Sequence, residues 1–543
     1  VHVGRNKLLL IVPLVVTLLL AAGGVGAYWL LRTQGSPAAT AAAYLAAWQR
    51  GDTDAMRTLI VAPPPDLAAR HQEMRIALGV TKATYTPGPV RRSGSAARVP
   101  FTATLALKSG GTWSYDGALD LTVKDRRWQV AWTPATLHPK LQEGQRLALT
   151  ATWPARGTVL AADGSRMDLP GMSGSVQQLA GLVGPATAAD LKRLGPPYKA
   201  GVMVGHGGIQ EAMERQLAGV PHTTIQIVDA RKRPVTTVGQ IAGKPGAEVR
   251  TSLDPKIQAA AAKAITSQGK PAALVALRPS TGEILAVANQ PGGWNRALMG
   301  QYPPGSTFKV VTAAALLADG LHIGDPVNCT KTANIDGRSF HNFEGEKFGA
   351  IDFLTAFAHS CNTVFANETV RRLDEQQLVR AAQDFGFGTP ITPGIAAQRG
   401  RFPMPRDDAE FAAAAFGQGR IQVSPLTMAA VAAAVQDGTW RSPRLVESGG
   451  DEARTHKLDA GVVSGLRTMM AAVVTNGTAK GAGLPAGTAG KTGTAEYGTG
   501  AKPATHAWFI GYHGDLAFAV IIEGGGTGGD VAAPIAGAFL RSL

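Results

Sequence analysis

Cysteine is nearly absent. Two in 543 residues exclude a disulfide-built scaffold and any cysteine-rich zinc site. Charge is sparse at 17%, while hydrophobic residues make up 45%, a globular balance that rules out disorder. The 66 glycines and 34 prolines follow no triplet period, so collagen is excluded as well. No internal repeat or low-complexity tract is present. The 11 histidines are scattered, without a ligand cluster of the H-E-x-x-H kind. Acidic residues are the scarcer charge: 39 against 53 basic ones leave +14. A basic surface suits nucleic acid, an anionic membrane or an anionic cell-wall polymer, and charge alone does not choose. The length suggests about three domains rather than one core.

Long apolar runs are also rare, with one exception at the amino terminus. Leu8 to Leu31 carry no charge and are flanked by Arg5, Lys7 and Arg32. As a helix the run would reach about 36 Å, enough for a bilayer core of about 30 Å. Tyr28 and Trp29 stand near one end, where interfacial aromatics belong. The expectation is an uncleaved transmembrane anchor with a short cytoplasmic tail, residues 1–36. The alternative is a signal peptide cleaved near Val25-Gly26-Ala27. Either reading exports the rest of the chain and demotes nucleic acid as a partner.

Residues 37–150 read as a small α+β domain. A helix from Ala41 to Ile60, interrupted at Gly51-Asp52, precedes alternating strands at Val99–Leu107, Thr112–Val123 and Arg127–Trp132. Residues 151–248 form a mixed region rich in glycine and proline. From 249 onward, Asp254-Pro255 opens a helix. Ala273–Leu277 and Ile284–Ala288 form a hairpin, and His506–Tyr512 with Leu516–Ile522 form another near the end. Helical stretches at Thr307–Ala318, Phe353–Leu373, Gln376–Phe385, Pro425–Gln436 and Gly461–Val474 lie between. Terminal hairpins around a helical middle imply an antiparallel sheet flanked by helices, so the fold class is α/β multidomain.

Three short motifs carry candidate chemistry. Ser306-Thr-Phe-Lys309 follows Tyr302-Pro-Pro-Gly305 and opens an apolar helix. Serine and lysine three apart share a helical face. A nucleophilic serine needs a base for its proton and N–H donors for the oxyanion, and a helix start supplies free N–H groups. Ser360-Cys361-Asn362 lies in a helical stretch, where a hydroxyl can relay a proton and an amide can bind a substrate amide. Lys491-Thr492-Gly493-Thr494 reads as a strand suited to a terminal carboxylate. Decoys exist for two of the motifs, Ser267-Gln-Gly-Lys270 and Lys108-Ser109-Gly110.

Order and context lift the signal. The set resembles the serine penicillin-recognising fold, and the chain is identified as a member of the class B penicillin-binding proteins, peptidoglycan D,D-transpeptidases. Tyr302–Lys309, Phe416-Gly-Gln-Gly-Arg-Ile-Gln-Val-Ser-Pro425, Pro279–Leu285 and Arg156–Leu160 carry the resemblance. Trp128–Trp132 with His138-Pro139 resembles the nuclear-transport-factor-2-like domain of methicillin-resistance-type relatives. The implied domains are that module at 37–150, a dimerisation or pedestal domain at 151–248, and a transpeptidase domain at 249–543. The resemblance implies that Ser306 is the nucleophile, Lys309 the base and Ser360 the proton relay. It implies that Asn362, Lys491, Thr492, Gly493 and Thr494 bind the donor peptide, with the Ser306 and Thr494 backbone N–H groups as oxyanion hole. Burial and nearby Lys491 would keep Lys309 neutral. Implied partners are D-Ala-D-Ala stem peptides with an amine acceptor, β-lactams, the bacterial plasma membrane and a membrane glycosyltransferase. No metal or organic cofactor is implied.

Two rival functions stay open. One is a β-lactamase or D,D-carboxypeptidase of the same fold, in which water resolves the acyl-enzyme. The other is a non-catalytic penicillin sensor or division scaffold. Cys329 and Cys361 either pair or stay free in an oxidising compartment. His341 and His359 read as structural, and His506 as a candidate to line the cleft. Gly524–Gly529 reads as a mobile loop beside the site, and Arg406-Asp407-Asp408 as a solvated loop.

Overall fold

The computed structural model describes residues 33–266, 268–446, 454–498 and 503–543. The expected anchor at Leu8–Leu31, its cleavage alternative, and Ser267 of the second S-x-x-K lie outside the described residues. Among the described residues no helix is long and apolar enough to cross a membrane. The chain divides into two compact units. The first holds residues up to Ala155 with Ala186–Val202 and Ala218–Gly246; the second holds Arg156–Pro185, Met203–Leu217 and Ala247–Leu543. Segments of 151–248 are thus shared between the two.

In the first unit, Pro37–Arg50 is helical because both ends are capped. The Ser36 side chain accepts from the Ala39 N–H, proline occupies the first turn, and Gly51 closes the helix in the left-handed region at φ 74°. Its buried stripe is Ala41, Tyr44, Leu45 and Trp48, at helical spacing. A five-stranded sheet supplies the matching face, with Ala96–Leu107 paired antiparallel to both Val80–Pro87 and Thr112–Lys124. Burial alternates along Ala96–Leu107, the period-2 signature of a half-buried strand. Trp128 and Val130 are buried as the alternation requires, whereas Trp132 lies past the strand end and is half-buried.

The second unit is organised by a five-stranded sheet in the order Glu283–Gln290, Ala272–Arg278, Leu516–Ile522, Ala504–His513, Ala489–Tyr497. All pairs are antiparallel, and the amino-terminal hairpin joins the carboxy-terminal one through Ala272–Arg278 and Leu516–Ile522. The helix Pro425–Asp437 packs against the central strands. It is capped by Ser424, ends at left-handed Gly438, and is buried nearly all round. A run such as Met-Ala-Ala-Val-Ala-Ala-Ala-Val has no polar face to leave in water, which is why this helix lies in the core.

Three expectations require correction. Phe353–Leu373 is not one helix: Phe353–Ala358 and Asn362–Arg372 are separate, and the break falls on the S-x-N motif. Ser360 has φ 60°, a left-handed conformation costly for a residue with a side chain, and it stops the first helix. Arg406-Asp407-Asp408 is not a plain solvated loop, because Asp407 caps the helix Asp408–Ala414 through the Glu410 N–H. The helix expected from Thr307 begins with a tighter turn, Gly305–Phe308, and becomes α-helical at Lys309.

Candidate active site

Ser306 sits in that tight turn and is half-buried, reachable from solvent. Lys309 opens the helix that follows and is 0% exposed. Its side-chain nitrogen meets the interhelical break. Nζ donates to the Ser360 carbonyl at 2.6 Å, to Ser360 Oγ at 3.2 Å and to Asn362 Oδ1 at 2.6 Å. It also lies over the Phe365 ring at 5.3 Å. The break in the helix is what turns a carbonyl, a hydroxyl and an amide toward one nitrogen. Had Phe353–Leu373 been continuous, the Ser360 carbonyl would be spent within the helix.

Lys491 is likewise 0% exposed, donates to the Thr492 carbonyl at 3.1 Å, and lies 5.6 Å from the Phe357 ring. Its strand, Ala489–Tyr497, is the edge of the sheet and leaves one side unpaired by strands. Two glycines allow this edge to touch the Ser306 turn. A Cβ on Gly493 would lie 2.8 Å from the Thr307 methyl and 3.1 Å from the Pro304 carbonyl oxygen. A Cβ on Gly305, itself at φ +53°, would lie 2.7 Å from the Thr494 carbonyl oxygen. S-x-x-K, S-x-N and K-T-G-T therefore converge in one place. Thr492 Oγ1 pairs with Thr478 Oγ1 at 2.5 Å, and Thr494 Oγ1 accepts from the Gly528 N–H at 3.3 Å.

Electrostatics follow from burial. Desolvation, then the charge of Lys491, holds the Lys309 amine well below its ordinary range. Desolvation brings Lys491 down to about 7. A neutral amine three residues along the chain from a half-buried serine can take a proton, and an ammonium on the sheet edge can meet a carboxylate.

Other expected residues fall nearby. Asn362 Nδ2 donates one hydrogen to the His341 carbonyl at 3.0 Å, which leaves its second N–H for a ligand. Cys329 and Cys361 form a disulfide, which ties S-x-N to the strand Pro326–Cys329. The His506 ring stacks on Tyr497 at 4.0 Å and accepts from the Gly524 N–H at 3.4 Å. Gly524–Gly529 lies against K-T-G-T, with Gly528 closely packed on the Gly493 backbone. Lys108-Ser109-Gly110 belongs to the other unit, at the turn after Ala96–Leu107.

Sequence reasoning missed several supports. Asn342 is 2% exposed; its Oδ1 accepts from the Thr363 N–H at 3.1 Å, and its Nδ2 donates to the Thr330 and Glu346 carbonyls at 2.8 Å each. It thereby fastens the start of the Asn362–Arg372 helix to the preceding loop. Nothing in a lone asparagine signalled this. The phrase at 416–425 did carry a signal: the Gly417 carbonyl accepts from Gly305 N–H at 3.0 Å, and Val423 exchanges backbone bonds with Tyr302. It braces the serine turn from behind.

Comparison with known proteins decides the family. The penicillin binding protein transpeptidase domain matches residues 272–541. The peptidoglycan D,D-transpeptidase PbpA of Mycobacterium tuberculosis is 32% identical over 359 residues, 55% of this chain and 72% of the relative. The chain belongs to the penicillin-binding transpeptidase family. The family's NTF2-like N-terminal transpeptidase domain matches 36–145, and its dimerisation domain matches 171–251. The peptidoglycan D,D-transpeptidase MrdA of Acinetobacter baumannii is 26% identical, covering 65% of this chain and 62% of the relative. Among solved structures, a ceftriaxone acyl-enzyme complex of penicillin-binding protein A from M. tuberculosis aligns with TM-score 0.57 at 25% identity. It covers 72% of this chain and 98% of that one. A Helicobacter pylori PBP2 solved with MreC shares the fold, with TM-score 0.64 and 17% identity over 73% of this chain and 98% of that one.

Proposed function

We propose that the chain is a peptidoglycan D,D-transpeptidase that cross-links stem peptides through a serine acyl-enzyme, and that β-lactams acylate the same serine. The observation that carries this reading is the buried Lys309 amine, bonded to Ser360 and Asn362 and following the Ser306 turn. Ser306 Oγ attacks the carbonyl carbon between two D-alanines while Lys309 Nζ takes its proton. The Ser306 and Thr494 N–H groups hold the oxyanion. The tetrahedral species expels the terminal D-alanine, whose amine gains its proton through Ser360. Lys491 and Thr492 hold the terminal carboxylate, Gly493 lets the donor backbone approach, and Asn362 holds the donor amide. An acceptor amine then attacks the ester, and the Ser306 oxygen departs and regains a proton.

The uncharged run at Leu8–Leu31 supports a single-pass anchor in a bacterial plasma membrane, with residues 37–150, 151–248 and 249–543 outside it. Such an anchor would bring the enzyme beside a membrane glycosyltransferase that makes the glycan. The test is a reaction with a synthetic D-Ala-D-Ala donor and an amine acceptor, followed by mass spectrometry. Cross-linked dimer is expected. Hydrolysed donor alone would assign a carboxypeptidase, and a stable acyl-enzyme without either product a sensor.

A further inference from the structure

The net charge of +14 leaves the anionic partner of the chain open. The first unit shows where part of that charge collects. Ala96–Leu107 pairs with both Arg91–Ser93 and Thr112–Lys124, and the latter turns back into Arg127–Val130. Two hairpin turns, 93–96 and 124–127, therefore lie side by side at one end of the sheet, joined by the Val123 N–H, which donates to the Ser95 carbonyl at 3.0 Å. Arg92, Lys124 and Arg127 are exposed there, and none of the three forms an ion pair among the described residues. Arg92 is held at this end by the Gly94 carbonyl at 3.0 Å and by the Trp128 ring at 5.0 Å. Asp125 is the one acidic residue in the two turns. Arg98, by contrast, is neutralised by Asp120 at 3.0 Å.

A solvated basic turn is ordinary; the place of these turns along the chain gives them a partner. The Gln34 N–H donates to the Arg126 carbonyl at 2.6 Å, and Gln34 bridges Arg127 in parallel. Gln34 is three residues past Leu31, where the uncharged run Leu8–Leu31 ends. Covalent geometry alone keeps the two within about 11 Å. Cationic side chains are drawn to anionic headgroups over a Debye length, about 8 Å at physiological salt. A run that spans a bilayer thus delivers these turns to its surface. We propose that this end of the first unit docks on anionic lipid headgroups of the membrane that holds the chain, through Arg92, Lys124 and Arg127. An anionic wall polymer would match the charge but lacks the tether. The inference rests on the anchored reading of Leu8–Leu31 and is independent of the acyl-transfer chemistry.

The test is hydrogen–deuterium exchange on the full chain incorporated in lipid nanodiscs, read at the turns 93–96 and 124–127. Discs of phosphatidylcholine are compared with discs of equal parts phosphatidylcholine and phosphatidylglycerol. Both turns are expected to exchange about tenfold more slowly in the anionic discs, and high salt should remove the difference. Lys124→Glu combined with Arg127→Glu, both at exposed positions, should abolish it while exchange in the helix Pro37–Arg50 stays as in the wild type. Where fast exchange in that helix shows the double variant unfolded, Arg92→Gln alone should still reduce the difference about twofold. Equal exchange in the two kinds of disc, an undiminished difference in the folded charge-reversed variant, or the same slowing by inorganic phosphate in phosphatidylcholine discs would each overturn the proposal. A chain that separates from the discs on gel filtration would refute the anchor itself, and the proposal with it.

Discussion

The two units bury polar side chains in opposite ways. In the second, Lys309 is fully buried but reaches three oxygen acceptors, and Lys491 reaches a carbonyl and a ring face. In the first, His71 is buried against Trp48 with no partner among the described residues. Both arrangements depress a basic group, yet they do different work. Partners fix the Lys309 amine in one geometry at the break between the two helices. The orphan imidazole stays neutral, with both nitrogens enclosed and unpaired among the described residues. Burial of a polar group is therefore informative only together with what surrounds it.

Mutations can break that contrast. Lys309→Met keeps the volume and removes the base, and should slow penicillin acylation about 10³-fold with the fold intact, measured by fluorescent labelling and circular dichroism. A variant that still labels at the wild-type rate would remove Lys309 from the chemistry. Lys491→Met should lower acylation by about 10- to 100-fold, as expected for a lost charge-assisted contact to the carboxylate. It should also move the acid limb of the pH profile upward, because the Lys491 charge is one cause of the depressed Lys309 amine. The sign follows from that cause: without the positive neighbour, Lys309 holds its proton to higher pH.

The wild-type profile itself should be bell-shaped. Acylation rises as Lys309 loses its proton and falls as Lys491 loses its own near pH 7. Lys491→Arg, which stays charged, should remove the descending limb. Asn342→Ala should cost about 2–3 kcal/mol of stability, read as a lower denaturation midpoint, since it strands the buried Thr363 N–H and the Glu346 carbonyl, while the Thr330 carbonyl keeps the Thr363 hydroxyl. His71→Phe in the first unit should change stability by less than about 1 kcal/mol, because it deletes polar atoms that had no partner to lose. A large loss there would show that the imidazole is paired after all.

Much of the architecture was legible in the chain. The paired terminal hairpins followed from apolar runs bounded by turn residues, and the helix at Pro255 from its Asp254 cap, all local signals. The helix break at Ser360 was not legible, because His359-Ser360-Cys361 contains neither glycine nor proline; a disulfide and a left-handed serine, both tertiary features, stop the helix there. For the same reason the motif could be spotted but its shape could not. The supports from Asn342 and Gly417 depend on contacts between segments far apart in sequence. The unpaired state of His71 was not legible because a single histidine on an apolar stripe reads as packing until its neighbours are known.

The central claim is that Ser306 is the acylated nucleophile of a site built from three distant motifs. Intact-mass spectrometry of the full chain after penicillin treatment, followed by peptide mapping, tests it most directly. One penicillin equivalent on the peptide containing Ser306, absent from Ser306→Ala, is the expected result. A covalent adduct on any other residue, or undiminished labelling of Ser306→Ala, would contradict it.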